Sequence, residues 1–242
     1  MCNNRTLRFL LSAIILLASA VVVSAKTYVV CVGINKYPQS PLRLCVADAD
    51  SVKYIYDHQR ATQTIILRDR QATRENILAT LRQQFSRASA HDRVLFYFAG
   101  HGYPGGFCAI DGNMSYSDIR RAMAGSSSNH KIIFADACFA GKMRNTQQSI
   151  QQQTQMKDAD VLLFLASRSN ETSGESMQVR NGYFTSALKR GLRGAADVNR
   201  DRTITASELF TYVHNKVKST TNNKQHPVMW GNFSDNMAVI NW

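Results

Sequence analysis

Ile132-Ile133-Phe134-Ala135-Asp136-Ala137-Cys138-Phe139-Ala140-Gly141 lies near the middle of the 242-residue chain. Apolar and small residues run straight into Asp136-Ala137-Cys138, and Gly141 lets the chain turn. A short apolar run bounded by turn residues reads as a buried strand. Cys138 then sits at the carboxyl end of that strand, where open α/β sheets gather their sites. Upstream, Val94 to Phe98 is a second such run, ending in Ala99-Gly100-His101-Gly102. If the two strands are parallel neighbours, His101 and Cys138 leave the sheet at one edge, as a base and its nucleophile.

Working outward, Thr27 to Ile34 is rich in β-branched residues and reads as a central strand. Gln63 to Leu67, Asp92 to Phe98, Lys131 to Ala135 and Val161 to Ala166 read as further strands, with a last one near Met237 to Ile240. Between them, Leu44 to Tyr56 carries apolar residues at helical spacing. Thr73 can cap a helix running to about Ala88, with Ile77, Leu78, Leu81 and Phe85 on one face. Tyr116 to Met123, Tyr183 to Gly191 and Ser207 to Val217 complete the helices, and a Gly-rich turn follows His101. Strands alternating with helices predict an α/β fold: a mostly parallel six-stranded sheet with helices on both faces.

The first 25 residues stand apart. Arg5 and Arg8 precede the apolar stretch Phe9 to Val23, and Val23-Ser24-Ala25 supplies small residues at a cleavage site, the pattern of a secretory signal peptide. The expected mature chain begins at Lys26, is exported to periplasm or medium, and has no further membrane span. Removing the leader takes the net charge from +12 to +10. The basic residues are scattered, without a Lys/Arg cluster interleaved with aromatics, so a nucleic-acid partner is not expected. Four cysteines remain after Cys2 leaves, with no C-x-x-C, and they are expected to be free thiols. Cys31, inside the first strand, reads as a small buried hydrophobe.

The chemistry follows from the residue types. A neighbouring imidazole can take the proton of a thiol and return it to a leaving group. Gly102 has no side chain, so its N–H can approach a reacting carbonyl. With the N–H of Cys138 it would make an oxyanion hole.

His101-Gly102 after one strand and Asp136-Ala137-Cys138-Phe139-Ala140-Gly141 after the next resemble the caspase-like cysteine peptidases, in particular the metacaspase branch and its bacterial relatives. The resemblance spans nearly all of the mature chain. Cys45-Val46-Ala47-Asp48-Ala49 resembles that branch's C-x-N-D-A segment, and Gly182-Tyr183-Phe184-Thr185 its G-x-F-T. Ala166 to Ser173 is similar to the strand-end region that lines its substrate pocket and includes Ser167. The resemblance implies a cysteine endopeptidase with His101 and Cys138 as the dyad, acting on peptides or proteins. The alternative is a catalytically silent caspase-like domain that binds partners.

Specificity is read from charge. Asp136 is an anion two residues before the nucleophile, and the resemblance brings Asp48 beside it. Two carboxylates around the pocket favour Arg or Lys at the P1 position. The glutamine-rich stretch from Lys142 to Lys157 reads as a flexible polar linker. In the family this segment is often cut on maturation, and Lys142, Arg144 and Lys157 offer basic cleavage sites for self-processing.

Two departures from the family stand out. Ala99 replaces the serine that often precedes G-H-G, and the acidic residues with which many metacaspases bind activating calcium are not evident, only Asp111 and Asp118 lying between His101 and the next strand. Calcium dependence by that route is not expected, and no cofactor is expected to be required. A different calcium candidate is Asp197-Val198-Asn199-Arg200-Asp201-Arg202-Thr203-Ile204-Thr205-Ala206-Ser207-Glu208, with Asp197, Asn199, Asp201, Thr203 and Glu208 as ligands. Its sixth position is Arg202 where the EF-hand pattern has glycine, and the alternative is that Thr205 or Ser207 simply caps the final helix.

Overall fold

Thr27–Gly33 forms β1, buried at every position, as its β-branched composition requires. The computed structural model describes residues 25–103, 105–137, 161–166, 175–176, 181–231 and 233–242. In chain order, β1 is followed by α1 (Cys45–Asp57), β2 (Thr62–Arg68), α2 (Arg74–Phe85), β3 (Arg93–Gly100), β4 (Gly102–Tyr103), β5 (Gly106–Ala109), β6 (Gly112–Ser115), α3 (Tyr116–Ala124) and β7 (His130–Ala137). Then come β8 (Val161–Leu165), β9 (Glu175–Ser176), β10 (Asn181–Gly182), α4 (Tyr183–Arg190), β11 (Thr203–Thr205), α5 (Ala206–Thr220), β12 (Val228–Trp230) and β13 (Ala238–Asn241).

The main sheet has six strands in the order β12-β8-β7-β3-β1-β2. All neighbours are parallel except β12, which runs antiparallel to β8. Strand residues alternate between two cores. Val30, Val32, Phe96, Phe98, Ile133 and Leu163 pack with Ile77, Leu81, Phe85 and Ile119 of α2 and α3. Val29, Cys31, Leu95, Tyr97, Phe134 and Phe164 pack with Val52, Phe184, Leu209 and Val213 of α1, α4 and α5. Each large apolar side chain so buried contributes about 1.5–3 kcal/mol. Burial also drives the Cys31 thiol pKa well above its ordinary value, which leaves it an unreactive core residue. Cys31 and Cys108 are free thiols.

The predicted parallel α/β sheet is present, with instructive differences. α2 is capped by Thr73, whose side chain accepts the Asn76 N–H at 3.2 Å, but the helix stops at Phe85 rather than Ala88. Asp92 takes the Ser89 N–H and hydroxyl, each at 2.8 Å, and folds the chain into a turn there. The Gly-rich segment after His101 is a three-stranded antiparallel meander, β4-β5-β6. The last strand, β13, pairs with β11 in a separate ribbon, and the sixth strand of the main sheet is β12. Among the described residues no helix is long and apolar enough to cross a membrane.

Candidate active site

His101 follows β3 at the carboxyl edge of the sheet. In the parallel ladder Gly100 lies opposite Ala137, the residue before Cys138. β1 is flanked by β2 on one side and β3 on the other. The strand order therefore reverses beside β1, and a crevice opens where loops depart to opposite faces. Loop 34–44, after β1, supplies the partners of His101. The Tyr37 hydroxyl donates to the Cys108 carbonyl at 2.7 Å and accepts the His101 backbone N–H at 3.1 Å. Burial pushes the Tyr37 phenol pKa far above its usual value, so it stays a proton donor. The Tyr37 and His101 rings lie 4.6 Å apart. A Cβ on residue 100 would come within 2.5 Å of the Tyr37 oxygen, so only glycine admits this tyrosine.

The imidazole itself is oriented by a backbone carbonyl: His101 Nε2 lies 2.6 Å from Ser40 O. A carbonyl can only accept, so Nε2 carries a proton, and in the neutral ring Nδ1 keeps the lone pair. His101, Gly102, Tyr37, Ser40, Cys108 and Asp111 line a cavity of about 420 Å³. This geometry makes His101 a pre-oriented proton acceptor.

Asp48 and Asp136, on α1 and β7, are both buried, at 3% and 7% exposure, and meet on either side of Gly182. Asp48 Oδ1 accepts from Asn181 Nδ2 at 2.6 Å and from the Gly182 N–H at 3.1 Å. Asp136 Oδ2 accepts from the Thr185 N–H at 3.2 Å and its hydroxyl at 2.7 Å. Because its hydrogen points to Asp136, the Thr185 hydroxyl accepts from Tyr97 OH at 2.6 Å. Burial, and then the two carboxylates, hold the Tyr97 phenol far above its ordinary pKa. A Cβ at residue 182 would lie 2.5 Å from Asp136 Oδ2 and 3.4 Å from Asp48 Oδ2. Gly182-Tyr183-Phe184-Thr185 thus clamps the acidic pair: the glycine lets it close, and the threonine binds one member.

Cys138 lies outside the described residues, as do Ser167 and the cleavage candidates Lys142, Arg144 and Lys157. Gly102 opens β4 opposite Phe107. Asp111 and Asp118 have structural work: Asp111 Oδ1 accepts the Arg74 N–H at the start of α2, while Asp118 completes the cap of α3 and pairs with Arg74 and Arg121. Tyr37, Ser40, Asn181 and Thr185 were not singled out as working residues from sequence. For Tyr37 and Ser40 no local signal exists, because their partners are 64 and 61 residues away.

The Asp197–Glu208 loop has the internal hydrogen bonds of a cation loop: Asp197 Oδ2 accepts from Arg202 N, Asn199 Oδ1 from Asp201 N, and Asp201 Oδ1 from Thr203 N. Asp197 Oδ1 is buried without a hydrogen-bond partner. Glu208, however, turns to the helix cap, its Oε2 accepting from Thr205 N and Oγ1 at 3.0 and 2.8 Å. Among the described residues no group of three or more His, Cys, Asp or Glu side chains is placed to hold a metal ion. In this arrangement Glu208 is engaged by Thr205 and does not close the ligand set of the loop.

Comparison with known proteins agrees with this architecture. The family model described as Caspase domain (Peptidase_C14) matches residues 26–237. Caspase-1 from Spodoptera frugiperda superposes with a TM-score of 0.63 at 15% identity, covering 88% of each chain. A crystal structure of a Geobacter sulfurreducens protein superposes with a TM-score of 0.66 at 18% identity, over 86% of this chain and 94% of that one. The comparison with curated proteins gave no match.

Proposed function

Because the chain belongs to the caspase-domain family of cysteine peptidases, we propose that it is an endopeptidase working through His101 and Cys138 and cutting after Arg or Lys. In this reading His101 Nδ1 takes the Cys138 thiol proton. The thiolate attacks the scissile carbonyl, and the resulting oxyanion is held by the N–H groups of Gly102 and Cys138. The protonated imidazole then delivers its proton to the departing amine. Water, activated by the same nitrogen, releases the acyl group.

One observation carries the proton-transfer part. The Ser40 carbonyl fixes the His101 tautomer, so the free nitrogen is ready before substrate arrives. Support for the basic P1 preference is the burial of Asp48 and Asp136 together around Gly182. Ser167 is assigned to the same pocket from the family resemblance. Fluorogenic peptides differing only in P1 test the preference. Turnover of Arg and Lys peptides is expected, and Asp136→Asn should reduce it by a factor on the order of 10² or more, the effect of losing one partner of a buried charge pair. Preferred turnover of the Asp peptide would overturn the reading.

The leader pattern ending at Ala25 supports export to periplasm or medium, and the basic residues Lys142, Arg144 and Lys157 support self-processing. Intact mass of the purified protein tests both. Cuts after those residues should appear in the parent and be absent from Cys138→Ala, and identical masses would remove self-processing.

A further inference from the structure

β1, β2 and β3 begin at the sheet edge opposite His101, with Thr27 in register with both Thr62 and Arg93. A cavity of about 480 Å³ opens at this edge. Its titratable side chains are basic apart from a tyrosine: His58, Arg60, Arg93 and Arg202 surround it, no Asp or Glu side chain contributes, and Ala25, Asn241 and Trp242 complete the wall. Among the described residues none of the three arginines is ion-paired. The guanidinium of Arg93, partly buried, donates to the neutral Asn241 Oδ1 at 2.6 Å. Burial holds its pKa below the usual guanidinium value. The nearby carboxylate of Asp57 is engaged by Lys53 and Thr64.

Two further features point to a missing acceptor. Tyr56 lines the same cavity and is 1% exposed, yet its hydroxyl has no hydrogen-bond partner. A sealed hydroxyl of this kind is costly unless something completes it. Arg202 occupies the left-handed region at φ 66°, which favours glycine. At the glycine position of a cation-loop pattern, the chain instead keeps an arginine, and that arginine lines the basic cavity. The loop that was a calcium candidate by sequence therefore presents a cation.

We propose that this cavity binds a small phosphate-bearing molecule. Guanidinium forks pair with phosphate oxygens two at a time. The volume is that of a small-molecule site and exceeds what one phosphate fills, so a molecule carrying two phosphate groups, or one phosphate and a polar body, suits it. Tyr56 and the hydroxyl of Thr27 supply neutral donors between the charges. The proposal is independent of the peptidase reading, since the cavity lies at the other end of the strands.

Calorimetric titration of the whole chain with inorganic pyrophosphate, in EDTA and at low ionic strength, tests it, with citrate as the carboxylate control. Saturable pyrophosphate binding is expected, weakened at least tenfold in both Arg93→Gln and Arg202→Gly. Arg202→Gly should also raise the melting temperature, because glycine adopts the local backbone without strain, so its lost binding cannot be ascribed to unfolding. Absence of saturable binding, or parent-like binding by Arg202→Gly, would overturn the proposal. Citrate binding as tightly as pyrophosphate would overturn the assignment to phosphate.

Discussion

Gly100 stands directly opposite Ala137 in the parallel ladder of β3 and β7. The two chain segments thus leave adjacent rungs of one sheet edge, one into His101 and the other into Cys138. Register in a sheet with both faces buried is strongly specified, because a one-residue slip would exchange Phe96 and Phe98 with Leu95 and Tyr97 between the two cores. The spacing of the two segments is therefore set by packing far from the sheet edge. His101→Ala and Cys138→Ala should each lower kcat by a factor on the order of 10⁴ or more, with little change in melting temperature. The double variant should be no worse than either single one, since the two groups act as a unit. Additive losses in peptide turnover would contradict a dyad.

Gly182 is where the acidic pair is most sensitive to volume. Gly182→Ala would push a methyl to within 2.5 Å of Asp136 Oδ2, and that oxygen is already held by Thr185. The expected cost is about 1–3 kcal/mol of stability. Turnover of Arg peptides should fall further than the population of folded protein does. Thermal melts and steady-state kinetics on the same sample separate the two, and a variant with parent-like kinetics would remove Gly182 from the site.

Much of this was open to inspection from the residues alone, because it is local. The apolar runs of β1, β3, β7 and β8 could be read directly, and Thr73 announced the start of α2. What escaped is non-local or short. β12 has three residues, too few for periodicity, and its place is decided by pairing with β8 more than sixty residues earlier. β13 has the apolar content of a central strand, yet Ile240 pairs with Ile204 of the 203–205 ribbon. The G-x-F-T resemblance marked 182–185 as part of the family pattern, but its work, holding Asp48 and Asp136 together, depends on residues over forty positions distant.

Calcium should not control the activity. The acids between His101 and β7 cap helices, and Glu208 serves the start of α5. Peptide turnover is expected to be equal, within error, in millimolar calcium and in EDTA. Asp201→Ala should change stability through the loss of its bond to Thr203 N, by about 0.5–1.5 kcal/mol, equally in both buffers. A calcium-dependent rise in melting temperature that Asp201→Ala abolishes would reverse this conclusion.

Asp92 ties the start of the chain to the amino edge of the sheet. Its Oδ1 accepts the Lys26 N–H at 2.7 Å, while Oδ2 takes the Ser89 N–H and hydroxyl. Burial works to raise the Asp92 pKa, but these hydrogen bonds outweigh it, and the carboxyl ends below its ordinary 3.8. A carboxylate depressed by folding contributes stability that is fully present above its unfolded pKa and is lost as pH falls through the folded value. Asp92→Asn should therefore cost about 1–3 kcal/mol near neutral pH, and the gap between parent and variant should close as pH falls below about 3.8. Cleavage after Ala25, as the leader pattern expects, would turn the Lys26 amide donor into an ammonium and the contact into an ion pair. The same substitution should then cost more in a chain that begins at Lys26 than in one that retains Ala25. Urea melts of the four proteins from pH 2.5 to 7 measure both effects, and a pH-independent gap would show that Asp92 acts through shape alone.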